Sequence, residues 1–323
     1  MAGPPGCEHD AAPVKKKRID DGCCGNALNV MHNFNAVERA GYIIGKSLTL
    51  LDMQMMRDML SMDKFYLDPA YEERLHQAGL DTLDKALAFE GGEFVSVHPR
   101  RGRTSRARLS DGTVIYVKTD NFTYFKQICK DLFACRKPVP NSVREREIYA
   151  VLQKEGFNVP TAVAWWRRSC LGWPGAAAMI NLAVPGTPLD KFMMKHYDDP
   201  ELCLSRIANA VDEFAGILKA GHDWQDHKPE HFFVSEQTDA VYVIDVERMA
   251  LHPGKMTEEM KMARMHKMGR QIGQALAEAG TAYLKDHPDN AQKWQEAFAV
   301  FAGKGKLAAA QIEWPLFLHL PLQ

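Results

Sequence analysis

The chain has 323 residues, with 40 Lys plus Arg against 41 Asp plus Glu, 46% hydrophobic and 25% charged side chains. This is ordinary globular composition, which excludes collagen, coiled coil and wholesale disorder and allows one two-lobed domain or two small ones. The near-zero net charge hides an asymmetry: residues 98–168 hold 15 basic and 6 acidic side chains, net +9, flanked by segments of net −5 on either side.

Residues 1–32 are rich in Gly, Pro, Ala, Asp and Lys without an apolar period, so a disordered tail is expected there. They carry no apolar core of a secretory signal, and the longest apolar run, GAAAMINLAV at 175–184, is far short of the roughly 18 residues that cross a bilayer. A cytoplasmic protein follows, and the seven scattered cysteines read as free thiols. Residues 33–90 form a helical extension on this reading: Leu48, Leu51, Met55 and Met59 fall at helical spacing, and DPAYEERLHQAG at 68–79 has N-terminal Asp and Pro and a C-terminal Gly.

From Glu93 the period changes to that of strands. EFVSV, TSRARL and TVIYVK follow one another, the last two joined by the turn Ser-Asp-Gly at 110–112. A helix is expected at about 142–155, then strands at TAVAWW and AAAMINLAV. Beyond Pro188 the long elements are helical, at about 199–220, 257–283 and 289–302, with one buried strand, AVYVIDV, at 240–246. A strand-rich lobe at 91–182 and a helical lobe at 183–323 make an α+β bilobal plan, with ligands expected between the lobes.

Two motifs in the second lobe carry the chemistry. DHKPEH at 226–231 precedes a short apolar strand, and Asp245 ends the apolar run VYVID. The order catalytic Asp, Lys two residues on, metal-binding residue five on, then a strand ending in a second Asp resembles HRDLKPEN and DFG of the protein kinase-like superfamily. The resemblance implies a bilobal protein kinase-like fold, ATP and Mg²⁺. Asp226 then matches the catalytic Asp, Lys228 the loop Lys, His231 the metal-binding Asn and Asp245 the DFG Asp. Lys118, at the end of VIYVK, matches the nucleotide-binding Lys, with Glu147, or less favourably Glu145, as its ion-pair partner.

The departures narrow the family. His231 replaces Asn, Val246 and Glu247 replace Phe and Gly, the phosphate-covering stretch HPRRGRTSRARL has one glycine, and about eleven residues separate Asp245 from the next helix, leaving no room for a peptide-docking segment. The D-x4-H loop, ID-x-x-R at 244–248 and GLDTLDKALAFEGG before a basic strand are similar to the lipopolysaccharide core heptose kinase and Kdo kinase family. That resemblance implies phosphorylation of a sugar hydroxyl on a glycolipid core, at the inner face of the cytoplasmic membrane, with the basic module drawn to anionic lipid and no nucleic-acid partner. The nucleotide would be held by Gly102, Arg103 or Arg106 and Ser105 at the phosphates, and by the hinge segment around Asn181 and Ala183. Trp165, Trp166, Arg167 and Arg168 are a candidate headgroup contact. A soluble small-molecule kinase and a pseudokinase binding module are the alternatives left open.

Overall fold

The computed structural model describes residues 63–302 apart from 99–101, 124, 134–136, 171–172, 253, 255 and 288–289. The tail at 1–32, the helical pattern at 34–60 and the tip of the basic hairpin lie outside the described residues.

Strand β1 (Lys64–Leu67) is followed by two short helices, α1 (Glu72–Gln77) and α2 (Leu83–Ala88). Thr82 caps α2 by accepting the Lys85 amide, and Gly79, at φ +66, ends α1 in the left-handed region that favours glycine. Next come β2 (Glu93–His98), β3 (Gly102–Arg108), β4 (Val114–Asp120), helices α3 (Phe125–Phe133) and α4 (Asn141–Lys154), then β5 (Ala162–Cys170) and β6 (Trp173–Leu182). The six strands form one antiparallel sheet in the order β1-β5-β6-β4-β3-β2. The Ser-Asp-Gly turn joins β3 to β4 as its sequence implies, with Gly112 at φ +88.

One expectation changes here. Leu75, Leu80, Leu83 and Ala86 are buried in the same cluster as Ile115, Val117, Val163, Trp166 and Ile180. β1 pairs with β5 over Lys64–Leu67. The described part of the expected helical extension therefore belongs to the sheet lobe, because its apolar face is what covers the outer side of the sheet.

The second lobe starts with β7 (Thr187–Pro188), α5 (Leu189–Lys195) and α6 (Pro200–Lys219), continues through β8 (Asp223–Trp224), a 3₁₀ turn (Pro229–His231), β9 (Phe232–Val234), β10 (Val241–Val243) and β11 (Met249–Ala250), and closes with α7 (Glu258–Tyr283) and α8 (Asn290–Ala302). Asp199 caps α6 through the Leu202 amide, ahead of Pro200 in the first turn. The helix then buries Leu204, Ile207, Val211, Phe214 and Leu218 in the main core, at the spacing of one helical face. Gly186, at φ +100, has no room for a side chain: a Cβ would strike the Val234 carbonyl, so glycine lets the chain between the lobes lie against β9.

Cys129 and Cys203 are free thiols, and burial pushes the Cys203 thiol up to about 12, so it stays protonated. Three of the four side chains expected at headgroups, those of Trp165, Trp166 and Arg168, have partners within the protein. Trp166 is buried in the core of the sheet lobe, Arg146 stacks 4.0 Å from the centroid of Trp165, and Arg168 is held by Asp84 at 2.9 Å and Asp63 at 3.3 Å. No helix among the described residues is long and apolar enough to cross a membrane.

Candidate active site

A cleft of about 870 Å³ opens between the sheet and the helical lobe, within the size range of small-molecule sites. Strand alternation decides which side chains reach it. Thr104 of β3 pairs with Lys118 of β4, Arg106 pairs with Tyr116, and all four line the cleft. Ser105 and Val117, one residue out of phase, point to the opposite face and are buried there.

Lys118 is tied to Glu145 of α4 by a short ion pair, and its Nζ stands 3.9 Å from Asp245 Oδ1. Burial alone pushes the lysine pKa down. The carboxylates of Glu145, Asp245 and Glu247 outweigh burial and hold its pKa above the ordinary value, so the side chain is a cation. Tyr149 donates its hydroxyl to Glu145 Oε1 at 2.7 Å and accepts the Asp245 amide at 3.2 Å. Burial and the Glu145 carboxylate raise the phenol well above its usual range, so it remains a donor. Lys118, Glu145, Tyr149 and the backbone of Asp245 thus form one chain of contacts running from sheet to helix to the lower lobe.

Two carboxylates set the approach of α4 to this chain. Asp120, at the end of β4, accepts both the amide and the hydroxyl of Ser142, at 2.7 and 2.6 Å, in the first turn of α4, where amides lack helical partners. Asp131 of α3 holds Arg144 at 2.5 Å. In the lower lobe, Arg264 of α7 grips Asp223 through two bonds, at 2.6 and 3.1 Å, and fixes the strand that leads into the 226–231 loop. Asp245 has φ +57, a left-handed conformation that is uncommon for a residue with a Cβ and that turns the chain sharply at the cleft floor.

His231 faces this floor, with Nε2 3.5 Å from Asp245 Oδ2 and 3.6 Å from Glu230. Burial lowers its pKa, so the ring is neutral at pH 7. Glu247, in the place of the DFG glycine, lines the same cleft, and burial raises its carboxyl pKa. Asp226 is held by Arg248 at 3.1 Å, and Lys228 pairs with Glu230 at 3.2 Å. The lower lining of the cleft includes Glu230 and His231, so Asp226 and Lys228 precede it along the loop.

Several expected residues are corrected. The partner of Lys118 is Glu145 and not Glu147: Glu145, Ile148, Tyr149 and Leu152 share one buried face of α4, whereas Glu147, two residues on, lies about 200° around the helix and is 51% exposed beside Arg146. Arg103 and Arg106 both line the cleft; the Arg103 guanidinium bonds the Leu87 and Phe89 carbonyls, and that of Arg106 stands 3.6 Å from Glu93. Ser105 is buried on the far side of the sheet and does not face the phosphate region. Gly102 lines the cleft, and a Cβ on it would fall on the Thr119 carbonyl, so glycine permits the close approach of the two strands there. The Ala183 amide is taken by the Val114 carbonyl at 3.0 Å. Asn181 does line the cleft, and its Oδ1 is buried with no hydrogen-bond partner among the described residues. Tyr149 and Asp120 are not picked out by the sequence, and Glu247 is read there only as the replacement for a glycine. The i, i+3, i+4, i+7 pattern through Glu145 was the signal that would have found Tyr149.

The sequence profile of the lipopolysaccharide kinase (Kdo/WaaP) family matches residues 94–286, more than half of the chain. The chain belongs to this family. Membership makes it a phosphotransferase that acts on a sugar hydroxyl of the lipopolysaccharide core, as the loop motifs imply. Among solved structures, WaaP in complex with acyl carrier protein is similar at 15% identity and TM-score 0.49, covering 77% of this chain and 99% of that one. The autoinhibited serine kinase domain of the giant muscle protein titin is similar at 10% identity and TM-score 0.35, covering 50% and 45%. No curated protein matches in sequence.

The helix-face assignment has a direct consequence for this kinase. Glu145→Ala should lower kcat/KM by about a hundredfold, the scale of misplacing a positioning group, because Lys118 loses its anchor. Glu147→Ala should leave kcat/KM within about twofold of the starting protein, since it removes only an exposed pair. Steady-state kinetics of the two variants checks both, and equal losses would reverse the assignment.

Proposed function

We propose that the cleft binds Mg²⁺-ATP and presents its γ-phosphate to a sugar hydroxyl of a membrane-embedded lipopolysaccharide core, with Asp226 as the group that takes the hydroxyl proton. The observation that carries this reading is the Lys118–Glu145 pair facing Asp245 inside a single cleft. Phosphoryl transfer asks for orientation and charge neutralisation and little covalent work from the protein. Lys118, a fixed cation, would meet the α and β phosphate oxygens, with Arg106 a further cation lining the sheet side. Asn181 would accept a hydrogen bond from the base through its unpartnered Oδ1.

The donor set suits a hard cation. Asp245 points a carboxylate into the cleft and Glu247 offers a second one nearby, which fits Mg²⁺, whereas the imidazole of His231 does not. Bound there, Mg²⁺ would neutralise phosphate charge. His231 instead faces Asp245 and would keep that carboxylate aimed. Asp226, steered by Arg248, would accept the hydroxyl proton, and Lys228 would stabilise the charge of the transferring group.

An acceptor anchored in a leaflet has to be met at the surface, and the basic segment at 98–168 is the part of the chain that anionic lipid attracts. The test is transfer from γ-labelled ATP to core glycolipid in anionic vesicles, run beside a panel of soluble sugars. Label should enter the glycolipid, and vesicle binding should fall as salt rises to about 1 M, where the Debye length shrinks to about 3 Å. Label confined to the soluble sugars would assign the enzyme to the small-molecule kinases. Nucleotide binding without transfer to anything would favour the pseudokinase.

A further inference from the structure

Glu155, His222 and His252 come from three different elements and converge outside the cleft. Glu155 is the C-cap of α4, His222 follows the end of α6, and His252 follows β11. One ligand atom from each lies within 4.8 Å of the others. His222 Nε2 is 2.6 Å from Glu155 Oε2, His252 Nε2 is 3.5 Å from Glu155 Oε1, and the two imidazole centroids are 4.4 Å apart. None of the three lines the nucleotide cleft.

Two features of the backbone bring the rings together. His252 has φ +42, where a residue with a Cβ is rarely found, and Gly221 has φ +93. A Cβ on Gly221 would approach His252 Nδ1 to 3.3 Å, so glycine leaves space for that ring. The His222 side chain is fully buried, yet its Nδ1 has no hydrogen-bond partner among the described residues. Hydrogen bonding alone therefore does not account for where this ring sits, and an orphaned buried polar atom of this kind is itself unfavourable.

We propose that Glu155, His222 and His252 form a metal site for a divalent transition ion of the zinc type, separate from the nucleotide cleft. Two imidazoles and one carboxylate are a set that Zn²⁺ accepts, with a water as fourth ligand, whereas Mg²⁺ and Ca²⁺ call for oxygen throughout. Zinc bonds of about 2.0–2.1 Å place neighbouring donor atoms about 3.3 Å apart in a tetrahedron. His252 stands near this spacing from Oε1 of Glu155, while His222 bonds the other oxygen, Oε2, and that contact has to open by less than about 1 Å as the carboxylate turns one oxygen to the ion. To ligate through Nε2, the neutral ring carries its single proton on Nδ1, the atom that has no hydrogen-bond partner among the described residues.

The site would act as a cross-link. α4 carries Glu145, His222 stands four residues before Asp226, and His252 stands seven residues after Asp245. An ion at their junction would fix the end of α4 against both segments that flank the cleft floor.

The test uses the full chain after chelator treatment, with Zn²⁺ uptake measured by competition against a chromophoric chelator and Co²⁺ uptake followed by its visible spectrum. Glu155→Gln and His252→Ala are the variants, because both side chains reach solvent and neither is in the cleft, whereas buried His222 is needed for packing. The wild type should take up one Zn²⁺ equivalent more than either variant, or bind it at least about tenfold more tightly. Its Co²⁺ complex should show tetrahedral bands that both variants lack, and Zn²⁺ should raise its Tm by several degrees more than theirs. Equal uptake and equal Co²⁺ spectra in all three folded proteins would overturn the proposal, whatever the kinase assay gives.

Discussion

Asp226→Ala should lower kcat by about two to four decades while leaving nucleotide affinity near that of the unaltered protein. The size is that of a lost, well-positioned acid-base group. Affinity is spared because the contacts expected for the nucleotide, at Lys118, Arg106 and Asn181, lie on the sheet side of the cleft, whereas Asp226 precedes the lower lining and touches Arg248. The fold should also persist. Asp226 is partly exposed, its partner Arg248 is 62% exposed, and the release of an exposed arginine costs little. The strand entering the loop is held independently by Arg264 through Asp223. Single-turnover transfer and nucleotide titration, both on the same preparation, separate the two effects. A variant that turns over normally would remove Asp226 from the reaction, and a variant that loses nucleotide as well would place Asp226 in ground-state binding.

How much of this was legible in the sequence depends on how local each feature is. The strands from Glu93 to Lys118, the turn at 110–112 and the long α6 are set by alternation or by one helical face within a single segment, and they lie where their patterns imply. The edge strand Lys64–Leu67 has no such signature: it is four residues long, Phe65 is 70% exposed, and its partner in β5 is about a hundred residues away. The same logic divides the site. Lys118, Asp226, His231 and Asp245 stand in short spaced motifs that a reader can find. The choice between Glu145 and Glu147 needed the helical phase of α4, and the choice between Arg103 and Arg106 needed the backbone carbonyls of a helix terminus that packs against β3. Asp120 was missed because its role is to satisfy the amide of Ser142, twenty-two residues away in sequence.

The second large effect concerns the metal. Asp245→Asn should weaken Mg²⁺-dependent ATP binding by more than about a hundredfold, beyond the 10–100-fold typical of losing an outer partner of a metal ligand. Asparagine keeps the size and one oxygen but removes the charge that a hard cation requires. It also keeps the left-handed backbone at this position, since asparagine tolerates it at least as well as aspartate, so the loss should be one of charge and not of folding. Lys118 does not account for the loss: with Asp245 neutral, one of the carboxylates that holds its proton is gone, but the Glu145 pair remains and the lysine stays cationic. His231→Asn is the complementary change. It removes a neutral ring that stands 3.5 Å from Asp245 and 3.6 Å from Glu230 and adds an oxygen donor, so Mg²⁺-ATP affinity should stay within about tenfold. Titrating ATP affinity against Mg²⁺ in both variants decides between the two residues. An inactive His231→Asn beside an unimpaired Asp245→Asn would mean that the imidazole carries the role assigned here to the carboxylate, and a softer ion than Mg²⁺ would then be the one that fits the cleft floor.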